Sequence, residues 1–184
     1  KLGERIARLQ ASHWAVGTGS SQPFGIVHAG LTHNHELATT TTITYNDLLD
    51  LEATLDPAYE QNAKWVFSKA TWTAVRKLVD TAGRPLVIDN AASGIGGRPV
   101  KTLLGYEVVI DQAFPAPTGD SANFAVLGDL REAYVIRKVA PLTVVVSPHT
   151  RIANGEIEYV AWERADGNIQ NRKAYSVLAT EDVA

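Results

Sequence analysis

The pattern of apolar and polar positions is clearest between residues 64 and 88, where local chemistry predicts three elements in succession. Lys64–Phe67 is a short apolar run with two aromatic residues, typical of a strand that is covered on both faces. Ser68 follows as a predicted helix N-cap, because its hydroxyl can accept a hydrogen bond from an unpaired N–H of the first turn. Residues 86–88 form a second extended run.

One apolar stripe runs along the predicted helix between these strands, and polar residues occupy its other face. The stripe is formed by Trp72, Val75, Leu78, Val79 and Ala82, and the polar face by Lys69, Thr73, Arg76, Lys77 and Asp80. Gly83 is predicted to end the helix, since a residue without Cβ suits the left-handed position, and Pro85 prevents its resumption. The sequence therefore predicts a strand–helix–strand unit at the core of the chain, with no catalytic residue in it.

A second amphipathic helix is predicted at the start of the chain, where Leu2, Ile6, Leu9 and His13 recur at helical spacing. It lacks an N-cap of its own, so we expect the chain to be a fragment or a processed product. A flexible loop is predicted at residues 17–23 and a brief strand at 24–27. Residues 30–37 are predicted to form a loop.

A third helix is predicted after Thr44, which with Asp47 resembles a capping box that has Asp in place of Glu. Leu48, Leu51 and Leu55 lie on one side of it, and the Asp-Pro pair at 56–57 ends it. The Gly-rich stretch 89–99 is predicted to be an exposed loop. The later part of the chain is mostly extended, with strands predicted at 107–110, 124–127, 134–138, 142–147, 157–164 and 175–178.

Two turns are predicted among these late strands. Asp129 is predicted to cap the short stretch Leu130–Ala133, and Asp166-Gly167 is predicted to form a tight turn between two strands. Helices lie early and strands late, so the fold class is predicted to be α+β.

The amino-acid composition excludes several classes of function. The chain has 184 residues, enough for one domain or one and a half, and 45% of them are hydrophobic. A formal net charge of −3 without a basic run gives no footprint for nucleic-acid binding. The absence of cysteine excludes disulfides, thiolate metal sites and a cysteine nucleophile. No apolar run is long enough for a transmembrane helix, and no signal peptide is visible.

Candidate ligand sites are weak. His33 and His35 have metal-ligand spacing, but only Glu36 adjoins them, and solvated loop histidines are the favoured interpretation. Gly17-x-Gly19 lacks the third glycine of a dinucleotide fingerprint, because Gln22 stands there. The glycines at 94, 96 and 97 lack a following phosphate-binding lysine and a helix N-terminus, which favours a plain loop.

Catalytic candidates are equally weak. Ser93 is predicted to be a loop serine outside any nucleophile elbow, and Asp111 and Asp129 are predicted to serve loops or caps. Core packing is the favoured role of the four tryptophans, Trp14, Trp65, Trp72 and Trp162. We therefore assign no catalytic, cofactor-binding or metal-binding residue from the sequence.

The order of several segments resembles the C-terminal two-thirds of phage major capsid proteins of the Hong Kong 97 type. Each segment alone is weakly specific, but their order and spacing over nearly the whole chain carry the resemblance. They are VGTGSSQPFGIV (16–27), ITYNDLLDL (43–51), KWVFSKATWTAVRKLVDTAGRPL (64–86), LLGYEVVIDQAFP (103–115), VLGDLREAYVIRK (126–138) and the stretch reaching ERADGNIQNRKAYSVL (163–178).

The resemblance implies a fold of two parts. An axial domain, near the symmetry axis of the capsomer, would comprise residues 23–130. A peripheral domain would comprise 1–22 and 131–184, built from the end of the family's spine helix and the long late strands. A return of the last strand to the axial domain is left open. The family's N-terminal arm, extended loop and most of its spine helix have no counterpart here. The family's cross-linking lysine lies in that extended loop, so no cross-link residue is transferred.

The function that the resemblance implies is structural, with no enzymatic activity and no cofactor. Copies would associate into hexamers and pentamers that close an icosahedral virion capsid around the genome, after synthesis in the host cytoplasm. Scaffolding, portal and decoration proteins are further expected partners, whereas sequence-specific nucleic acid and membranes are not. The alternatives left open are an encapsulin-type nanocompartment shell protein, and a hydrolase or ligand-binding domain whose site is not visible in the sequence.

Overall fold

The computed structural model describes residues 2–80, 82–86, 101–119 and 121–182. The strands of these residues form a six-stranded mixed sheet and a two-stranded ribbon. In spatial order the sheet is built from β1 (His35–Glu36), β8 (Tyr175–Ala179), β5 (Asn123–Gly128), β2 (Lys64–Phe67), β4 (Tyr106–Ile110) and β3 (Thr102–Leu103). The ribbon consists of β6 (Tyr134–Ser147) and β7 (Glu158–Ile169). The helices are α1 (Leu2–Val16), α2 (Tyr45–Ala53), α3 (Lys69–Arg76) and α4 (Leu130–Ala133), with 3₁₀ turns at Pro57–Asn62, Ile152–Asn154 and Arg172–Ala174.

The centre of the sheet is formed by β5, which pairs antiparallel with both β2 and β8. Parallel pairs extend the sheet on either side, β4 next to β2 and β1 next to β8. Every residue of β5 and β8 is buried, so the middle of the sheet is covered on both faces. This arrangement of helices around a mixed sheet confirms the predicted α+β class.

One face of the sheet carries the predicted core unit. Trp65 and Phe67 of β2 pack there with Trp72 and Val75 of α3, and the Phe67 and Trp72 rings stack with centroids 6.1 Å apart. The leucines predicted to share one side of the third helix, Leu48, Leu51 and Leu55, complete this cluster. On the other face, the end of α1 and residues 26–27 cover the sheet around Val66, Val126 and Val177.

The predicted caps are confirmed. Ser68 accepts a hydrogen bond from the Thr71 N–H, and Thr44 and Asp47 form the reciprocal capping box. Asp129 caps α4 by accepting from the Arg131 N–H. Each of these hydrogen bonds joins residues at most three positions apart, so the local sequence was sufficient to predict it.

The predicted end of the core helix at Gly83 is wrong, because α3 ends at Arg76. The Asp80 carboxylate accepts from the N–H groups of Ala82 and Arg84, each at 2.8 Å, and this turn replaces the helix. Gly83, with φ of 77°, serves that turn. Val79 is consequently 55% exposed and forms an isolated bridge to Pro85, while Leu78 keeps part of its predicted packing.

Four further sequence predictions are corrected. Asp166-Gly167 is not a turn but lies inside β7, paired with β6. The two strands predicted at 134–138 and 142–147 are one strand with register shifts around Ala140. The strand predicted at 24–27 is reduced to a single bridge between Thr18 and Phe24, whereas the loop predicted at 30–37 contains β1.

Some predictions fall on residues outside the described ranges. The loop predicted at 89–99, including Ser93 and the glycines at 94, 96 and 97, lies there entirely. Of the extended run 86–88, only Leu86 is described, and its N–H donates to the Leu78 carbonyl.

Candidate functional site

Among the pairs of neighbouring elements that the structure describes, the ribbon carries the most exposed apolar side chains. Along both strands, β-branched and aromatic side chains are about half exposed: Val135, Ile136, Val139, Val144, Val145, Val146, Tyr159, Val160 and Trp162. Trp162 is 64% exposed, so its predicted role in core packing is wrong, whereas Trp65 and Trp72 are buried as predicted. Exposed apolar patches of this extent mark interaction surfaces.

Helix α1 lies against one face of the ribbon near its base. The Gln10 amide donates to Glu163 Oε2 at 2.9 Å, and Lys138 Nζ lies 2.8 Å from Glu163 Oε1. The hydrogen bonds from Lys138 and Gln10 lower the pKa of the Glu163 carboxyl below its ordinary value, although partial burial opposes this. The Lys138 ammonium also lies 5.9 Å from the Trp14 ring centroid. These contacts fix the helix to both strands of the ribbon.

A clasp of three residues, Tyr134, Phe24 and Gly167, joins the ribbon to the rest of the chain. The Tyr134 hydroxyl donates to the Phe24 carbonyl at 2.8 Å, and the Phe24 N–H donates to the Gly167 carbonyl at 3.0 Å. A Cβ on residue 167 would overlap the Tyr134 hydroxyl, so glycine is required there. Burial, with the nearby Asp166 carboxylate, raises the pKa of Tyr134 to about 12, so its hydroxyl remains a donor at neutral pH.

Two open grooves border the ribbon. One, of about 680 Å³, runs between α1 and β7 and is lined by Ile6, Leu9, His13 and Trp14 together with Ala161 and Glu163. Leu2 and Leu9 of the predicted apolar stripe are 41% and 58% exposed, so much of that stripe faces the groove or solvent. The other, of about 600 Å³, lies at the ribbon base between α1 and the sheet, and its walls include Trp14, Val66, Phe114 and Ile136.

The histidines predicted as the nearest approach to a metal site contact different carboxylates. His33 Nε2 lies 2.6 Å from Glu36 Oε1, whereas His35 Nε2 lies 3.5 Å from Asp47 Oδ1. Within the described residues, no three His, Asp or Glu side chains are arranged to hold a metal ion. The geometry therefore brings each histidine to an acidic partner and does not bring the pair to a common point.

The other sequence candidates have local structural roles. Asp111 Oδ1 accepts from the Ala113 N–H, and Asp129 caps α4. The Gly17 N–H donates to the His13 carbonyl at the end of α1, and its own carbonyl accepts from Gly25. A side chain on Gly17 would overlap backbone atoms of His13 and Pro23, so this glycine serves close packing.

No helix in the described ranges has both the length and the apolar character needed to cross a bilayer.

The phage capsid family model matches residues 1–179, and the chain therefore belongs to that family. The resemblance found in the sequence is thereby confirmed. No curated protein sequence is significantly similar to the chain.

Solved structures share the fold. The capsid of a native GTA particle is 25% identical with a TM-score of 0.80, and the match covers 98% of this chain and 63% of that chain. The capsid of an empty GTA particle is 24% identical with a TM-score of 0.78, covering 98% and 64%. The holo-SrpI encapsulin complex from Synechococcus elongatus PCC 7942 is 16% identical with a TM-score of 0.65, covering 98% and 63%. The chain thus spans somewhat under two thirds of these proteins, and the predicted capsid fold is confirmed.

Proposed function

We propose that this chain is the body of a capsid shell subunit, whose copies associate into hexamers and pentamers and close an icosahedral shell around a genome. Membership of the phage capsid family over nearly the whole chain is the observation that carries this proposal. The likeness to two GTA capsid structures supports it.

The ribbon supports a self-associating role on physical grounds. A two-stranded ribbon is at best marginally stable alone in water, yet β6 and β7 extend over 14 and 12 residues with exposed valines. Copies of the same chain that cover these side chains would remove apolar surface from water and hold the ribbon rigid. Rings of such copies need only one repeated pair of complementary surfaces.

We propose that the chain is divided into two domains. Residues 23–130 form an axial domain near the capsomer axis, and residues 1–22 and 131–184 form a peripheral domain. The pairing of β8 with β1 and β5 favours assigning Tyr175–Ala179 to the axial sheet. The ribbon and α1 then make up the peripheral part.

The proposed role is architectural and assigns no catalytic residue. The grooves along the ribbon are open, and their walls combine apolar side chains with a carboxylate that is already hydrogen-bonded, which suits packing more than catalysis. We place the protein in the virion capsid, and in the host cytoplasm before assembly. Scaffolding, portal and decoration proteins are the further partners that a closed, filled shell would use.

Electron microscopy of the product of the complete gene, expressed alone and then with its neighbouring genes, tests the proposal. We expect closed shells of uniform diameter that contain nuclease-protected DNA. A monomeric product under both conditions would contradict the proposal.

An encapsulin-type compartment is the second candidate, because an encapsulin complex shares the fold. The contents of the shell distinguish the two. Shells that hold protein cargo and no DNA would favour the compartment, whereas nuclease-protected DNA would favour the capsid.

A further inference from the structure

The two faces of the ribbon differ around Glu163, where α1 contacts one of them, and are about equally exposed nearer the tip. Residues directly opposite each other in an antiparallel pair share a face, so Thr143 with Trp162 and Val145 with Val160 lie together. The other face carries Val146 with Tyr159 and, further along β7, the Glu163 that α1 contacts. We call the face of Trp162 the outer face. On it Val145 and Val160 are 46% and 44% exposed.

A small hollow lies on the outer face directly beside Trp162. Its volume is about 330 Å³, which is enough to admit one large side chain, and it is lined by Ala140, Thr143, Trp162, Glu163 and Arg164. The hollow coincides with the register shifts on either side of Ala140, where the ladder is irregular and a small residue leaves room. Trp162 separates this hollow from the groove along α1.

The exposed Trp162 indole and a hollow that can admit an indole lie side by side on one face. This makes the face self-complementary. In a two-fold contact, residue i of one copy meets residue j of the other and the reverse, so one knob and one hollow form two identical contacts. Tryptophan in a desolvated pocket is the commonest kind of interface hot spot. Arg164 also lines the hollow.

We propose that two copies of this chain associate through the outer faces of their ribbons, each inserting Trp162 into the hollow beside Ala140 of the other. This inference rests on the proposed shell function, in which ring contacts build capsomers and a two-fold contact of this kind links one capsomer to the next. A second copy is the occupant because the same face supplies both halves of the fit.

The size of the outer face agrees with such a contact. Val135, Val145, Val160 and Trp162 together expose on the order of 400 Å² of apolar surface. This is about half of the ~800 Å² that each partner buries in a standard interface, which is the usual apolar share.

Face-to-face packing is favoured over the addition of a strand. The outer edge of β6 is interrupted by Pro141, which has no N–H to donate, and by the register shifts around it. Proline and irregular pairing are the devices that prevent edge-to-edge association. The apolar side chains stay available on the faces.

Sedimentation velocity of the 184-residue chain between about 1 and 200 μM is the first measurement, with circular dichroism melts to show that each variant is folded. We expect a concentration-dependent dimer that weakens at least tenfold in Trp162→Ala. Ala140→Phe fills the hollow and should weaken the dimer to a similar extent. Tyr159→Ala is the matched control, because Tyr159 is 61% exposed on the same strand but lies on the other face.

The outcomes separate this inference from the shell function. A wild-type chain that stays monomeric at 200 μM, or a Tyr159→Ala variant that dissociates as readily as Trp162→Ala, overturns the ribbon contact. The same substitutions in the complete gene product provide the second arm, read by electron microscopy. Normal shells from Trp162→Ala would overturn the contact and leave the shell function standing, whereas the absence of shells from the unsubstituted product would count against the shell function.

Discussion

The central sheet and the ribbon have similar sequences and opposite surroundings. Both β5 and β6 consist largely of β-branched and other apolar residues, but every residue of β5 is buried whereas Val144, Val145 and Val146 of β6 are about half exposed. The difference arises because β5 has strands on both sides and helices over both faces, while β6 has a single partner strand. An apolar run thus encodes a strand, and the availability of neighbours decides whether its side chains are buried or exposed.

Two tryptophans test this comparison with the largest expected effect. Trp72→Ala should lower the free energy of unfolding by about 3–5 kcal/mol, because it empties a site that is 4% exposed in the core. Trp162→Ala should change it by about 0.5 kcal/mol or less in the dissociated chain, since that side chain is largely in water. Urea unfolding at low protein concentration measures both. Equal losses would show that the ribbon is as tightly packed as the sheet.

Two glycines provide a second test. Gly128, with φ of 157°, lies where a Cβ would overlap the backbone of Ala174 and Tyr175, so Gly128→Ala should cost about 3 kcal/mol or fail to fold. Gly155, at the ribbon tip with φ of 69°, has open space around it, and Gly155→Ala should cost about 1 kcal/mol from backbone strain alone. Thermal melts compare the pair. A reversed order would mean that the tip is the more constrained region.

Leu78 and Arg76 test how far the core extends beyond α3. Leu78 is only partly buried against the core, so Leu78→Ala should cost about 1–2 kcal/mol, less than a fully buried leucine. Arg76→Ala, at an exposed position, should cost about 0.5 kcal/mol. Chemical denaturation of the two variants checks the difference. A loss above about 3 kcal/mol for Leu78→Ala would mean that Leu78 packs as tightly as a fully buried leucine, although α3 ends two residues before it.

Tyr134 tests the clasp between the two regions. Tyr134→Phe removes the hydrogen bond to the Phe24 carbonyl and should cost about 1 kcal/mol at neutral pH. Because the native pKa of about 12 exceeds the unfolded value of 10, the hydroxyl's contribution is complete below pH 10 and is lost as the pH rises towards 12. Unfolding titrations between pH 8 and 12 should therefore show a steeper loss for wild type than for the phenylalanine variant. Parallel curves would contradict the role of this proton.

Glu163 is expected to give the smallest effect, confined to the ribbon base. Its native pKa lies below the unfolded value, so its contribution is present above the unfolded pKa and is lost as the pH falls through the native one. The protection factors of the β7 amides, which correct for the pH dependence of intrinsic exchange, should fall in acid for wild type, and Glu163→Gln should remove that dependence. Faster exchange in the central strands of the sheet would show that the effect is not local.

The sequence predicts well those features that neighbouring residues decide. Ser68, Thr44 and Asp129 cap helices through bonds to residues two or three positions away, and Trp72 with Val75 shows its periodicity within one turn. Asp80 shows how such evidence can mislead. The stripe of apolar residues continues past Arg76, but the Asp80 carboxylate binds two backbone N–H groups and forms a turn that the periodicity does not reveal.

Features that depend on distant partners could not be predicted. The Tyr134 clasp joins residues 110 positions apart, and Trp162 is exposed because β6 is the one strand that pairs with β7 among the described residues. Asp166-Gly167 has the composition of a turn, but glycine is needed there because the Tyr134 hydroxyl occupies the space of a Cβ. A glycine in an alternating strand is the signal that could have indicated such a close approach.

The position of β8 in the sheet makes the order of synthesis important. Strand β5 pairs on one side with β2 and on the other with β8, and β1, at the edge of the sheet as far as the structure describes it, pairs with β8. On a ribosome the sheet therefore stays incomplete until Tyr175–Ala179 has emerged, shortly after β7 of the apolar ribbon. Ordering β1 then requires closing a loop of about 140 residues, and such distant pairings fold slowly. A nascent copy thus exposes its ribbon while its sheet is still incomplete, so we expect it to become competent for assembly only after β8 has paired with β5 and β1.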